Sequence, residues 1–204
     1  MKHTYQIATA GIVALALVSC KNPADDTTDA TTTDSQSVAQ AAKSATKYTF
    51  TDASTIEFVG SKVTGSHDGG FKSFDGFFTV DAEEQITGTF TIDMNSTWSD
   101  HPKLTEHLKA DDFFGVAQYP SSTFEVTGFK KTSETTGDLS GNLTMRGKSK
   151  NITFPAKVIL ENDQVNISST FDINRQDWGI SFKGKPDDLI RDEVVLKLNL
   201  VAKK

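Results

Sequence analysis

From Tyr48 to the C-terminus, apolar residues recur at every second position. Ile86, Phe90, Ile92 and Met94 share one parity, while Thr87, Thr89 and Thr91 take the other. The pattern repeats through Ile152, Phe154, Ala156, Val158 and Leu160. It returns through Val165, Ile167, Phe171 and Ile173, and finally through Val194, Leu196, Leu198 and Leu200. A period of two with one polar face predicts antiparallel strands that bury one side. Turn-forming clusters separate the runs at residues 81–84, 136–138, 161–163 and 183–186. About eight strands with such spacing predict a sandwich or a closed barrel, and periodicity alone leaves both open.

One stretch breaks this period. Leu104 and Leu108 stand one helical turn apart, Pro102 suits a first helical position, and Asp100 is placed to cap it. A short helix is therefore predicted near residues 102–112. The chain then reads Phe113-Phe114-Gly115 and reaches Tyr119-Pro120, where the proline forces extended backbone on its predecessor. A helical plug carrying two adjacent aromatics is shaped to cover one end of a β-structure.

The same stretch resembles the signature of the YceI-like family of lipocalin-like, polyisoprenoid-binding barrels, through His107-Leu108, Asp112-Phe113-Phe114, Tyr119-Pro120 and Phe124. A second similarity lies at Gly141-Asn142-Leu143-Thr144-Met145-Arg146-Gly147, with Lys148 to Lys150 following. A third lies at Asn174-Arg175-Gln176-Asp177-Trp178-Gly179-Ile180. Together they span most of residues 48–204. The resemblance selects the antiparallel, lipocalin-like β-barrel of about eight strands and implies an isoprenoid-like lipid as ligand, either a quinone or a polyprenyl chain. Many members begin the first strand with His-Ser where this chain has Ala53-Ser54. The Gly65-Ser66-His67-Asp68-Gly69 run is instead similar to a lipoprotein branch.

The first residues fit that branch. A basic start at Lys2 and His3, an apolar run from Ile7 to Val18 and then Cys20 make residues 1–19 an export signal, too short to span a bilayer. Leu17-Val18-Ser19-Cys20 resembles a bacterial lipobox, which implies acylation of Cys20 and a membrane anchor. Lys21 after the cysteine favours the outer membrane of a Gram-negative envelope, facing the periplasm or the surface. Residues 20–47 hold no aromatic before Tyr48 and are rich in Thr, Asp, Ala and Ser, so a disordered tether is expected. Its r.m.s. reach would be about 25–30 Å. The barrel is expected over 48–204.

Composition narrows the function. The net charge of −6 becomes −7 once Lys2 leaves with the signal, and no basic block exists, which sets nucleic acid aside. Cys20 is the only cysteine, which excludes an internal disulfide and a cysteine-rich zinc site. No nucleophile elbow, zinc signature, phosphate loop or dinucleotide fingerprint occurs, so neither catalysis nor a cofactor is expected. The histidines lack metal-ligand spacing, and no metal is expected. A homo-dimer stays open.

The candidate site is the barrel interior. An eight-stranded barrel either fills itself with side chains or holds one small ligand, and residues alone favour filling. The resemblance implies the pocket, lined by Phe90, Ile92, Met94, Leu108, Phe113 and Phe114, and by Phe124, Leu143, Met145, Phe154, Phe171 and Trp178. Four residues are candidates for a polar mouth. His67 sits in a glycine-rich turn, and His107 lies four residues before Asp111 on one helix face. Arg146 and Arg175 suit a phosphate or a carbonyl, although Arg175 could equally pair with Asp172 or Asp177 as a structural corner beside Trp178. The rival reading is a packed barrel on a surface lipoprotein that engages another envelope protein.

Overall fold

The period-two runs become strands in the computed structural model, which describes residues 21–38, 40–161 and 163–204. In chain order they are β1 (Thr31–Asp34), β2 (Thr46–Phe50), β3 (Thr55–Lys62), β4 (Gly65–Phe71), β5 (Phe74–Val80), β6 (Ile86–Asp93) and β7 (Thr97–Ser99). A short helix α1 (Pro102–Lys109) follows. Then come β8 (Ser121–Lys131), β9 (Thr136–Met145), β10 (Lys148–Glu161), β11 (Gln164–Asn174), β12 (Gly184–Lys185) and β13 (Asp188–Lys203).

Eight of these close into a ring in the order β10, β9, β8, β6, β5, β2, β13, β11 and back to β10. Every pairing in the ring is antiparallel, as expected. β3, β4 and β7 continue the wall from β13 around the end that carries α1. Alternation decides which side chains go in. At the opposite end Phe78, Val126, Val165, Ile167, Leu200 and Ala202 are completely buried and make a solid floor. Among the described residues no helix is long and apolar enough to cross a membrane.

The helix is shorter than residues 102–112. It ends at Lys109, and the Phe114 and Gly115 amides fold back onto the Leu108 and Ala110 carbonyls at 3.0 and 2.9 Å. Asp100 does not cap it. Its carboxylate takes His67 Nδ1 at 2.9 Å and the Asp68 amide at 3.3 Å instead, because β4 runs alongside. His101 holds the capping position without a side-chain bond, and Thr105 Oγ1 accepts the Ser99 amide at 2.8 Å to fix the helix entry.

The largest departure concerns the expected tether. Residues 1–20, with the signal and the lipobox cysteine, lie outside the described residues. From Asn22 to Gln36, however, the polar segment is built onto the barrel. A 3-10 turn at Pro23–Asp26 buries Ala24 against Val59 and Val195 on the outer face. The chain then bonds to β11, with the Ala30 amide donating to Asp172 O at 2.9 Å and the Asp172 amide to Thr28 O at 3.2 Å. β1 next pairs with β10 from Thr31↔Thr153 to Asp34↔Lys150. Beyond it, the Gln36 backbone exchanges two hydrogen bonds with the buried Asn142 side chain, at 2.9 and 2.7 Å.

The reason lies in Pro155. β10 and β11 pair only over 157–161 and 164–168. Pro155 has no amide to continue the ladder, and its carbonyl takes the Ser169 hydroxyl at 2.5 Å. Above that point the strands part, and the N-terminal strap fills the seam. A segment too polar to build its own core thus gains order by satisfying a sheet edge that would otherwise be unpaired.

Candidate functional site

The floor leaves the α1 half of the barrel incompletely filled. A cavity of about 150 Å³ runs there, and of the twelve expected lining residues all but Trp178 face it. Trp178 is instead wholly buried in the core beside it, where its indole N–H donates to Leu143 O at 3.0 Å. Phe58, Phe71, Ile180 and Ile190 line the cavity as well and were missed, although Phe58 carries the period-two signal of β3.

Aromatic rings shape this space. Phe154 and Phe171 stack with centroids 3.9 Å apart, and Phe90 stacks on Phe124 at 5.1 Å. The Phe124 ring lies flat on Gly141, where any Cβ would come within 2.2 Å of it. That close approach is why the second sequence motif opens with glycine. Phe114 forms the roof, with its ring 6.3 Å from Phe58 and 5.9 Å from Phe71.

Only Ser122, Arg175 and Arg191 among the lining residues are polar. Ser122 Oγ is spent on Thr144 O at 2.6 Å. Arg175 is a structural corner, though its partner is neither Asp172 nor Asp177. It donates to Ile180 O at 2.6 Å, Arg191 O at 3.0 Å and Asp192 Oδ1 at 2.9 Å. It thereby stitches the 3-10 turn Arg175–Trp178 to the irregular stretch of β13 between Ile190 and Val194. Burial pulls the guanidinium below its usual pKa, and the Asp192 carboxylate opposes that. The interior therefore presents hydrocarbon and offers almost nothing to a polar guest.

The other polar candidates lie elsewhere. Arg146 sits outside the cavity at the β9–β10 turn, where it and Gly147 have φ of 51° and 70°, the geometry of a two-residue hairpin. Its Nη1 donates to Asp111 O at 2.8 Å and also to Phe113 O, tying the roof to that hairpin. His107 bonds Asp112 Oδ2 at 2.8 Å, not Asp111, with Phe113 and Phe182 edge-on at 4.8 and 4.9 Å. His67 pairs with Asp100 beside the helix entry, and both side chains are part-exposed. The structure does not bring the four together into a polar mouth. Among the described residues, no group of three or more His, Cys, Asp or Glu side chains could hold a metal.

The YceI-like domain matches residues 48–202. The chain belongs to the YceI-like family. A UPF0312 protein of Pseudomonas putida strain GB-1 is 35% identical over 124 residues, covering 57% of this YceI-like chain and 65% of that relative. Protein YceI of Escherichia coli O17:K52:H18 is 37% identical over 97 residues, or 47% of this chain and half of that protein. The chain thus spans less than two thirds of the length of these curated relatives. Two solved structures share the fold at low identity. Burkholderia cenocepacia BcnA aligns with a TM-score of 0.68 at 23% identity, over 74% of this chain and 96% of its own. A polyisoprenoid binding domain from Saccharophagus degradans, implicated in plant cell wall breakdown, aligns with a TM-score of 0.63 at 19% identity, over 77% and 97%.

Proposed function

We propose that this YceI-like protein binds an isoprenoid-type lipid, a quinone tail or a polyprenyl chain, inside its barrel and serves as carrier or reservoir in a bacterial envelope. Acylated Cys20 anchors it there. The observation that carries the reading is the continuous apolar lining, in which Ser122 is turned onto the Thr144 carbonyl and Arg175 onto the Ile180 and Arg191 carbonyls and Asp192. Such a bore accepts a tail by partition and excludes a head group. Each buried isoprene unit hides roughly 100 Å² and contributes about 2–3 kcal/mol, part of which is lost in ordering the chain.

A cavity of about 150 Å³ accepts a benzene-sized guest, so about one isoprene unit enters without rearrangement. A longer tail requires the Phe113-Phe114 roof to swing away. The second reading, a packed barrel that engages another envelope protein, is favoured by one observation. The free volume at rest is half the roughly 300 Å³ at which ligand pockets usually begin.

Extraction separates the two. The full chain, purified from membranes in mild detergent and extracted with organic solvent, should release an isoprenoid species by mass spectrometry. A folded Phe171→Asp variant should not. Retention of the lipid by that variant, or a wild-type protein that comes out empty and shows no thermal shift with any prenyl compound, overturns the proposal.

A further inference from the structure

We propose that the N-terminal strap fixes the orientation of the barrel, holding it with the cavity end against the membrane and with Val63 and Leu189 in contact with the lipid surface. This rests on the anchoring of Cys20 proposed above.

The strap determines where an anchor can be. Lys21 is the first described residue, and its neighbour Asn22 accepts the Ser61 hydroxyl at 3.3 Å. Ser61 belongs to the last turn of β3, opposite Ser66 at the tip of the β3–β4 hairpin. Ala24 is then buried against Val59 and Val195, and Thr27 Oγ1 donates to the buried Asp172 carboxylate at 2.6 Å. An expected tether with a reach of about 25–30 Å is thereby cut to the bond or two before Asn22, at most about 3.6 Å per residue. A membrane anchor at Cys20 would leave the barrel almost no freedom to turn over.

The end beside that anchor is also the end that opens. Gly60, Ile180, Ile190 and Arg191, all at this rim, line the cavity. Of the four exposed large hydrophobics among the described residues two project here, Val63 and Leu189, each 48% exposed and joined by the Val63 amide to Leu189 O at 3.1 Å. Of the other two, Leu160 stands alone at the opposite end and Val38 lies on the strap. Charge around the tips is mixed, with Lys62 paired to Asp188 and with Lys183, Lys185 and Asp187 nearby. The occupant this fits is a lipid surface reached through apolar tips, so contact should be nearly independent of salt and of anionic lipid. A tail leaving the bore would pass directly into the bilayer.

The test uses the full, acylated chain, in which the Cys20 thiol is consumed. Val63→Cys, Leu189→Cys and, at the far end, Glu134→Cys are each labelled with an environment-sensitive fluorophore. The proteins are then reconstituted on phosphatidylcholine vesicles carrying doxyl-labelled lipid. Quenching at positions 63 and 189 should exceed that at 134 several-fold, and Ala24→Asp, which unseats the strap, should erase the contrast while the protein still sediments with vesicles. Equal quenching at all three positions, with Cys20 acylated by mass spectrometry, overturns the orientation and leaves the anchor standing. An unmodified Cys20 with no sedimentation overturns both.

Discussion

Replacing Phe171 by alanine removes one ring of the Phe154–Phe171 stack, where both side chains are almost wholly buried and both face the cavity. The cost has two parts. Losing the buried ring forfeits about 2 kcal/mol of transfer free energy. The void of roughly 100 Å³ adds about 2.4 kcal/mol at about 24 cal/mol per Å³. The expected destabilisation is therefore about 4 kcal/mol, with some relief where Phe154 relaxes into the gap. In urea, at roughly 2 kcal/mol per M, the midpoint should fall by about 2 M with an unchanged slope. The enlarged bore approaches the usual size of a ligand pocket, so an apolar additive at 100 times its Kd should restore about 2.7 kcal/mol to the variant. A midpoint shift below about 0.5 M would mean that the stack is not a packed element of the core. Failure of any apolar additive to stabilise the variant would mean that the space is not accessible to guests. Either result refutes the argument.

Burial lifts the Asp172 carboxyl above the usual range, against the Thr27 hydroxyl and with help from the Asp29 charge. A carboxyl whose folded pKa is raised contributes stability that is fully present below its unfolded pKa of about 3.9 and is lost as pH rises through the folded value. Asp172→Asn should flatten that decline and raise the urea midpoint near pH 7, and an unchanged pH slope would count against the clasp. Asp188 has the opposite sign, because bonds from Lys62 and Thr64 hold its carboxyl low. Protection of the β3–β4 hairpin amides, taken relative to their intrinsic exchange rates, should therefore fall as pH drops through that lowered value. Arg146→Gly preserves the left-handed turn while deleting the bonds to the roof. Exchange of the 110–116 amides and release of bound lipid should both accelerate, with global stability changing by less than about 1 kcal/mol. Arg175→Met removes the donor to the Ile180 and Arg191 carbonyls and leaves Asp192 with Gln176 Nε2 alone. Because Asp192 is 38% exposed, the expected loss of about 3 kcal/mol by calorimetry sits at the low end for a broken buried pair.

The antiparallel strands were legible because they alternate cleanly, while the choice of a barrel over a sandwich came from the family resemblance; the roof was legible because Phe113-Phe114 interrupts that alternation next to a helical pair. Which strand residues face inward followed from the same parity, and that they line a pocket was what the resemblance implied; Trp178 departs from that lining on a 3-10 turn, where parity has no meaning. Partners such as Asp100 for His67 and Asp192 for Arg175 depend on which strands become neighbours, and local spacing does not record that. The strap was the hardest to read, since composition alone argues for disorder. One trace of it does exist in the sequence. Val59 and Val195 fall on the outward parity of β3 and β13, where apolar residues have no reason to be unless something covers them.

Because Thr31–Asp34 is part of the wall, the region that defines the family, 48–202, is smaller than the unit that folds. A gene trimmed to that region would encode a barrel with a slit. The β10 edge at 150–153 would lie bare, the Asn142 amide would lose Gln36, and Asp172 would keep its burial cost without its clasp. Such a fragment would present a ready template for sticking to its own kind, and its poor behaviour in solution would say nothing about the intact protein.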